Sequence, residues 1–209
     1  MKYKLFLIAA FLMFLSWAAY KPLFPNDWWL ENYLVFLYVP GIFILGRYFK
    51  LSNISYTLMT AFVCLHLVGS HYTYAEVPLG NTLGDWVGSN RNMYDRIVHL
   101  SFGLLLAYPI REVFMQITET KGFWSYLLPI NLIFSFSSIY EILEWWTVLN
   151  VSPELGFAFL GAQGDMWDTQ KDMTSAGTGA IITMIIVFLI HASHNKNAWK
   201  EIKESFRIK

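Results

Sequence analysis

Aspartate, glutamate and histidine residues recur in or beside strongly apolar stretches of this 209-residue chain. Such side chains can bind a metal ion, exchange protons or activate a water molecule. An aspartate at the centre of a membrane helix costs about 2.5–3.5 kcal/mol on insertion scales, so it is usually retained for a site. Eight residues form the candidate set: His71, Asp95, His99, Glu141, Glu144, Asp165, Asp168 and Asp172.

Asp95 and His99 are four positions apart, which places them about 40° apart on one helix face. This spacing suits two ligands of one metal ion, or a carboxylate that orients an imidazole. A polar bridge between two helices is the structural alternative.

Glu141 and Glu144 are three positions apart, about 60° around a helix, and Trp145 and Trp146 follow them as markers of the membrane interface. Glu141 lies one turn deeper and is the stronger candidate ligand, although an interhelical hydrogen bond is also compatible with its position. Glu144 is either a general acid or base or a solvated carboxylate.

Asp165, Asp168 and Asp172 form one acidic stripe if their segment is helical. Three like charges on a stripe repel, so a cation, shared protons, or Lys171 and Arg96 folding back must compensate them. Capping of a helix N-terminus is an additional explanation for Asp168.

The role of each candidate follows from its position and chemistry. We expect a ligand set for a divalent metal such as Zn, Mn or Fe, because mixed imidazole and carboxylate ligands suit these ions. The predicted metal ligands are Asp95, His99, Glu141, Asp168 and Asp172, and the predicted acids or bases are His71, Glu144 and Asp165. His66 lies about 140° from His71 on a helix, and of the two we favour His71 as the site residue.

The composition indicates the elements that carry these residues. With 56% hydrophobic and 14% charged residues, the chain is typical of a polytopic membrane protein rather than a soluble domain. Six apolar stretches approach the roughly 20 residues that cross a bilayer as helix, which predicts an all-α bundle forming one membrane domain over residues 1–209. The stretches are Leu5–Tyr20, Leu30–Phe49, Ile54–Ala75, Met93–Ile110, Phe123–Leu149 and Met173–His191. The first stretch also fits a cleaved signal peptide.

Basic residues predict the orientation of the bundle. With six spans, one side of the membrane carries most of the 15 Lys and Arg residues, so the positive-inside rule places both termini in the cytoplasm and the candidate residues at the outer face. The residues on the cytoplasmic side are Lys2, Lys4, Arg47, Lys50, Arg111, Lys121, Lys196, Lys200, Lys203, Arg207 and Lys209. Lys21, Arg91, Arg96 and Lys171 are on the other side.

Several function classes are excluded or disfavoured. The formal net charge is zero and no basic tract alternates with aromatic residues, so we expect no nucleic-acid partner. The expected partners of a membrane protein are membrane lipids and, for the enzyme hypothesis, a lipid-linked substrate. The single cysteine, Cys64, cannot form a disulfide within the chain. A glycine-rich phosphate loop, an HExxH zinc motif and a GxSxG nucleophile elbow are all missing from the sequence.

The ordered motifs of the chain resemble those of a known family. The motifs are His71-Tyr72-Thr73-Tyr74, Arg91-Asn92 leading into Tyr94-Asp95-Arg96 with His99, Tyr140-Glu141 with Glu144-Trp145, and Gly164-Asp165-Met166-Trp167-Asp168. The family that the chain resembles is the YjdF-like family of bacterial inner-membrane proteins. This resemblance implies a multi-pass protein of the bacterial inner membrane and no particular chemistry. The Asp-x-x-x-His pair, the later Glu and the spaced acids are also similar, more distantly, to the VanZ-like membrane proteins linked to glycopeptide resistance, which usually have Asn where this chain has Asp172.

Three functions are compatible with these patterns. The first is a metal-dependent hydrolase or transferase that acts at the outer leaflet on a lipid-linked or amphipathic substrate. The second is a non-catalytic membrane factor whose polar cluster fixes helix packing. The third is a proton- or cation-coupled transporter, although such sites usually lie near the membrane midplane between repeated halves, and no internal repeat is visible here.

Overall fold

The structure is a computed structural model that describes residues 2–207, and within this range it is helical without strands. Nine helices follow one another in that part of the chain. They are α1 (Lys2–Ala19), α2 (Pro25–Tyr48), α3 (Asn53–His71), α4 (Pro78–Trp86), α5 (Tyr94–Thr118), α6 (Trp124–Val148), α7 (Pro153–Leu160), α8 (Asp168–His194) and α9 (Ala198–Glu204). Lys209, which contributed to the orientation argument, lies outside the described residues.

Six of these helices, α1, α2, α3, α5, α6 and α8, are long and apolar enough to cross a membrane, which confirms the predicted all-α architecture with six candidate spans. The predicted bounds were less accurate. Helix α5 continues eight residues beyond Ile110, because the two charged residues that interrupt its apolar run are both satisfied by neighbouring helices. Arg111 donates to the Ser125 carbonyl at 3.1 Å, and Glu112 accepts from the Ser55 hydroxyl at 2.5 Å.

The three short helices α4, α7 and α9 were not predicted. Pro78 and Pro153 begin α4 and α7 at a position where a proline's missing N–H costs nothing, and the Ser152 side chain caps α7. Both helices lie in connections at the same end of the bundle, between α3 and α5 and between α6 and α8. They are too short for the hydrophobic periodicity of a spanning helix to reveal them.

Helices α5 and α8 form the closest helix pair of the bundle. Gly103 and Gly179 lie at their contact, and a side chain on either glycine would collide with the backbone of the facing helix. Gly177 faces the ring of Phe134 on α6 in the same manner. Small residues allow membrane helices to approach in this way, so the glycines of α8 serve packing.

The amino ends of α2, α5 and α8 and the carboxyl ends of α3 and α6 meet at one end of the bundle, which we call the site end. Contacts between these helices define it, including His66 of α3 with the Glu31 carbonyl of α2. Most tryptophans near this end are exposed, with Trp86 at 78% and Trp145 at 62%. Their exposure fits an interfacial aromatic belt better than a lining of the interior.

Candidate functional site

His99 is surrounded by carboxylates from three different helices at the site end. Its Nε2 atom lies 3.5 Å from Asp95 Oδ1 on α5, 3.8 Å from Glu141 Oε1 on α6 and 4.0 Å from Asp172 Oδ1 on α8. One donor atom each from Asp95, His99 and Asp172 lie within 4.8 Å of one another. We call these four residues the His99 cluster.

The fold explains why these residues meet. Asp95 and His99 are one turn apart near the amino end of α5, so they share a face. The close approach of α5 and α8 at Gly103 and Gly179 brings Asp172 against that face. Glu141 reaches it from α6, which packs against both helices.

Arg96 compensates the acidic stripe on the opposite side of the cluster. Its guanidinium lies 2.5 Å from Asp168 and 3.3 Å from Asp165, and it also pairs with Asp172. Lys171 adds a contact of 2.7 Å with Asp165. The hydrogen bond from Lys171 lowers the pKa of Asp165 below its ordinary value. Of the three compensations considered for the stripe, the folding back of Arg96 and Lys171 is the one these contacts show.

Arg91 also belongs to this network, although it was not among the eight candidate residues. It precedes α5, and its Nη2 atom lies 3.1 Å from Asp95 and 2.6 Å from Asp168. Its Nη1 atom donates to the Ala162 carbonyl at 2.6 Å, which ties the loop before α8 to the start of α5. The signal available in the sequence was its four-residue spacing from Asp95.

The network carries more negative than positive charge. Five carboxylates face only three Lys and Arg side chains, which leaves a formal excess of two negative charges when His99 is neutral. Glu141 is only 6% exposed, and its Oε1 atom has no hydrogen-bond partner. One divalent cation would neutralise this excess and supply the missing partner.

An apolar cavity of about 620 Å³ opens beside the His99 cluster. It lies between α2, α3, α5 and α6, with α7 at the site end, and along α5 its lining extends from Asp95 to Ile117, about 33 Å at 1.5 Å per residue. Most of the wall is aliphatic and aromatic. Polar side chains collect at the site end, and they are Glu31, His66, Tyr74, Asp95, His99, Tyr140 and Glu144.

The two histidines at the end of α3 have different surroundings. His71 lies at the contact with α1, where Nδ1 is 3.1 Å from the Ala18 carbonyl and the ring centroid is 4.4 Å from that of Trp17. His66 lines the cavity instead; its Nε2 is 3.1 Å from the Glu31 carbonyl and its Nδ1 is 2.6 Å from the Tyr74 hydroxyl. The structure therefore brings His66 to the cavity, while His71 packs against α1.

The other predicted residues divide between the two features. Glu144 lines the cavity with Asp95 and His99. Asp168 and Asp165 contact Arg96 and lie behind the His99 cluster. The eight candidates thus comprise four in the cluster, two in its ion pairs, one in the cavity wall and one at the α1 contact.

Acidic residues on α2 were missing from the candidate set. Asp27 is fully buried and accepts a hydrogen bond from the Thr73 hydroxyl, and Glu31 is 5% exposed with its Oε2 atom unpartnered. Their four-residue spacing in an apolar stretch is the same signal that singled out Asp95 and His99. The predicted span began at Leu30 and placed Asp27 in a loop, which concealed the pair.

Comparison with known proteins gives a family and one curated relative. Residues 3–193 match a family described as "Predicted membrane protein (DUF2238)". The inner membrane protein YjdF of Escherichia coli (strain K12) is 34% identical over 165 residues, which are 78% of this chain and 78% of that protein. No solved structure matches the chain. These findings confirm the resemblance inferred from the ordered motifs.

Proposed function

The chain belongs to the DUF2238 family of predicted membrane proteins and is a multi-pass protein of the inner membrane, and from this premise we propose a metal-dependent hydrolase or transferase. Its substrate would be lipid-linked or amphipathic, and the whole chain would act as one integral membrane domain. The observation that carries the proposal is the His99 cluster beside the apolar cavity.

The distances within the His99 cluster suit a small divalent cation. In a tetrahedral site with bonds of about 2.1 Å, neighbouring ligand atoms lie about 3.4 Å apart. Donor atoms of Asp95, His99 and Asp172 lie within 4.8 Å of one another, so a small inward movement would bring these three to such spacing. Glu141 lies 3.8 Å from His99 Nε2 and would move further to become the fourth ligand. Asp95, His99, Asp172 and Glu141 are the proposed ligands.

The cavity supports the choice of substrate. Its volume is in the range of pockets that hold small organic ligands, and its apolar wall suits a hydrocarbon chain. Asp95 and His99 belong to both the cluster and the cavity wall, so the polar part of a bound substrate would reach the metal. Glu144 lines the same end and is the proposed base or acid toward a metal-bound water.

The proposal places the site at the outer face, with both termini in the cytoplasm. The distribution of Lys and Arg supports this orientation through the positive-inside rule. A reporter that is active only in the cytoplasm should be active when fused to either terminus. A reporter that is active only after export should be active when it is inserted in the α4 connection. The opposite pattern would place the site at the inner face and overturn the orientation.

Metal analysis of the detergent-purified protein tests the function. We expect about one Zn, Mn or Fe ion per chain, together with a rise in thermal stability when the chelated protein is reloaded. His99→Ala and Asp95→Asn should lose both effects, and His194→Ala, which changes an exposed histidine at the end of α8, should retain them.

Two results would overturn the metal-dependent function. One is a wild-type protein without metal after loading with each ion. The other is a metal content that His99→Ala leaves unchanged. If the variants lose stability and no metal is bound, the cluster is a packing element, an alternative that the ion pairs of Arg96 with Asp165 and Asp168 specifically favour.

A further inference from the structure

The polar end of the cavity is acidic. Three carboxylates, those of Glu31, Asp95 and Glu144, line it, and among residues 2–207 no lysine or arginine does. Arg96 pairs with acids of α8, and Arg91 pairs with Asp168 and with Asp95 itself. Among residues 2–207, Glu31 and Glu144 are thus the carboxylates at this end that form no ion pair with a lysine or arginine. A bound group between Glu31 and Glu144 therefore meets two carboxylates without a competing lysine or arginine.

Glu31 is a buried carboxylate with an unpartnered oxygen at this end. The residue is only 5% exposed, it lines the cavity, and its Oε2 atom has no hydrogen-bond partner. His66, the basic side chain beside it, does not neutralise it. The His66 Nε2–H donates to the Glu31 backbone carbonyl, while Nδ1 accepts from the Tyr74 hydroxyl.

Both ring nitrogens of His66 are thus engaged, one with the Glu31 backbone carbonyl and one with the Tyr74 hydroxyl, so His66 makes no hydrogen bond to the Glu31 carboxylate. Burial raises the pKa of Tyr74 well above its ordinary value, which keeps the phenol protonated as the donor to His66. The Glu31 side chain is left with an unpartnered acceptor, Oε2, at the polar end of the cavity. A buried acceptor of this kind is costly unless a donor or a cation reaches it.

Aromatic rings complete the environment. Tyr74 and Tyr140 line the same end of the cavity as Glu31 and Glu144. Tyrosine faces attract ammonium groups, and carboxylates with aromatic rings are a recurring combination for amine recognition. An anionic head group would be repelled here, and an uncharged one would leave Glu31 without a charge partner.

We propose that the cavity binds an amphipathic amine, with its hydrocarbon chain between α2, α5 and α6 and its ammonium head between Glu31 and Glu144. This inference rests on the proposed function, which assigns the cavity to an amphipathic substrate, and it defines the head group of that substrate. Asp95 and His99 remain with the metal on the α5 side of the same end. The amine is thereby held beside the metal rather than in its place.

Competition binding tests the head group. Radiolabelled tetradecylamine would be bound to the metal-loaded protein in maltoside detergent and displaced with tetradecyltrimethylammonium, tetradecanol or tetradecyl phosphate. We expect the amine and the trimethylammonium compound to bind at least about tenfold more tightly than the alcohol or the phosphate, as a charge-assisted contact predicts. Glu31→Gln and Glu144→Gln should each reduce amine affinity about tenfold, and Glu154→Gln, an exposed change on α7, should not.

A second pair of variants tests where the hydrocarbon chain of the amine binds. Gly41 lines the cavity, and a side chain added there meets open space, so Gly41→Phe should fill the cavity and abolish amine binding. Ile44→Phe, at an exposed position of the same helix, should leave binding unchanged.

The outcomes distinguish a failure of the amine inference from a failure of the proposed function. Equal binding of amine, alcohol and phosphate that Gly41→Phe still blocks would overturn the amine head group and leave an amphipathic substrate in place. Binding that Gly41→Phe does not affect would remove the cavity from both proposals. Tight amine binding that survives both glutamine substitutions would also overturn the inference.

Discussion

Replacing Arg96 with methionine should destabilise the protein by about 3 kcal/mol. The Arg96 side chain is only 11% exposed and pairs with Asp165, Asp168 and Asp172. Removing one partner of a buried ion pair costs about 3–5 kcal/mol, because it leaves an uncompensated buried charge. Asp168 would keep Arg91 at 2.6 Å, so the loss falls on Asp172 and the lower end of that range applies.

Reversible unfolding in mixed micelles of dodecyl maltoside and sodium dodecyl sulfate measures this effect, with far-UV circular dichroism as the readout and a chelator present to exclude metal. A loss of about 3 kcal/mol changes the unfolding equilibrium on the order of 100-fold. Lys171→Met is the matched control. Its side chain is 55% exposed and, within residues 2–207, forms an ion pair with Asp165 alone, so its loss should cost less than about 1 kcal/mol.

A double variant tests the physical reason. If the cost arises from an orphaned carboxylate, Asp172→Asn in the Arg96→Met background should recover about half of the lost stability or more. The reasoning is refuted if Arg96→Met costs no more than Lys171→Met. It is also refuted if Asp172→Asn destabilises the Arg96→Met protein further, because removal of the uncompensated Asp172 charge should restore stability.

Three shorter predictions concern packing, pH and histidine. Gly179→Leu should separate α5 from α8 and lower the free energy of unfolding by about 1–3 kcal/mol in the same assay. Gly41→Leu should cost less, because a side chain added at Gly41 meets open space. The Lys171 hydrogen bond lowers the pKa of Asp165 in the folded protein. The stability that ionised Asp165 contributes is therefore complete above the ordinary pKa of 3.8 and is lost as the pH falls through the lowered pKa. When stability is measured against pH, Asp165→Asn should remove this loss at acidic pH. His71→Phe should leave the metal content unchanged by elemental analysis, and a loss of metal would instead return His71 to the site.

The helical architecture was predictable because its signal is compositional. Backbone groups in lipid must be satisfied within a segment, so long apolar stretches have few structural options. Span ends were less predictable where charged residues continue a helix. Arg111 and Glu112 would end an apolar run, yet they remain in α5 because Ser125 and Ser55 satisfy them from neighbouring helices, and such partners are invisible in a linear sequence.

The membership of the site was predictable in part, for a related reason. Helical spacing brings Asp95 and His99 together within one element, whereas Glu141 and Asp172 join them only through the order of packing. Spacing also could not decide which histidine of α3 faces the interior. His66 and His71 differ by about 140° around the helix. His71 contacts α1, and the position of α1 against α3 depends on tertiary packing that the spacing does not encode.

The helix ends stabilise some acids of the site more than others. Asp95 and Asp168 lie in the first turns of α5 and α8, where the partial positive charge of the helix favours a carboxylate, and both also contact Arg91. Glu141 and Glu144 lie toward the carboxyl end of α6, so they gain no such stabilisation, and no lysine or arginine within residues 2–207 forms an ion pair with either. A fold that needed acids only for packing would place them where helix ends and arginines stabilise them. The two glutamates of α6, facing the His99 cluster and the cavity, are therefore the residues at which an added cation would contribute most.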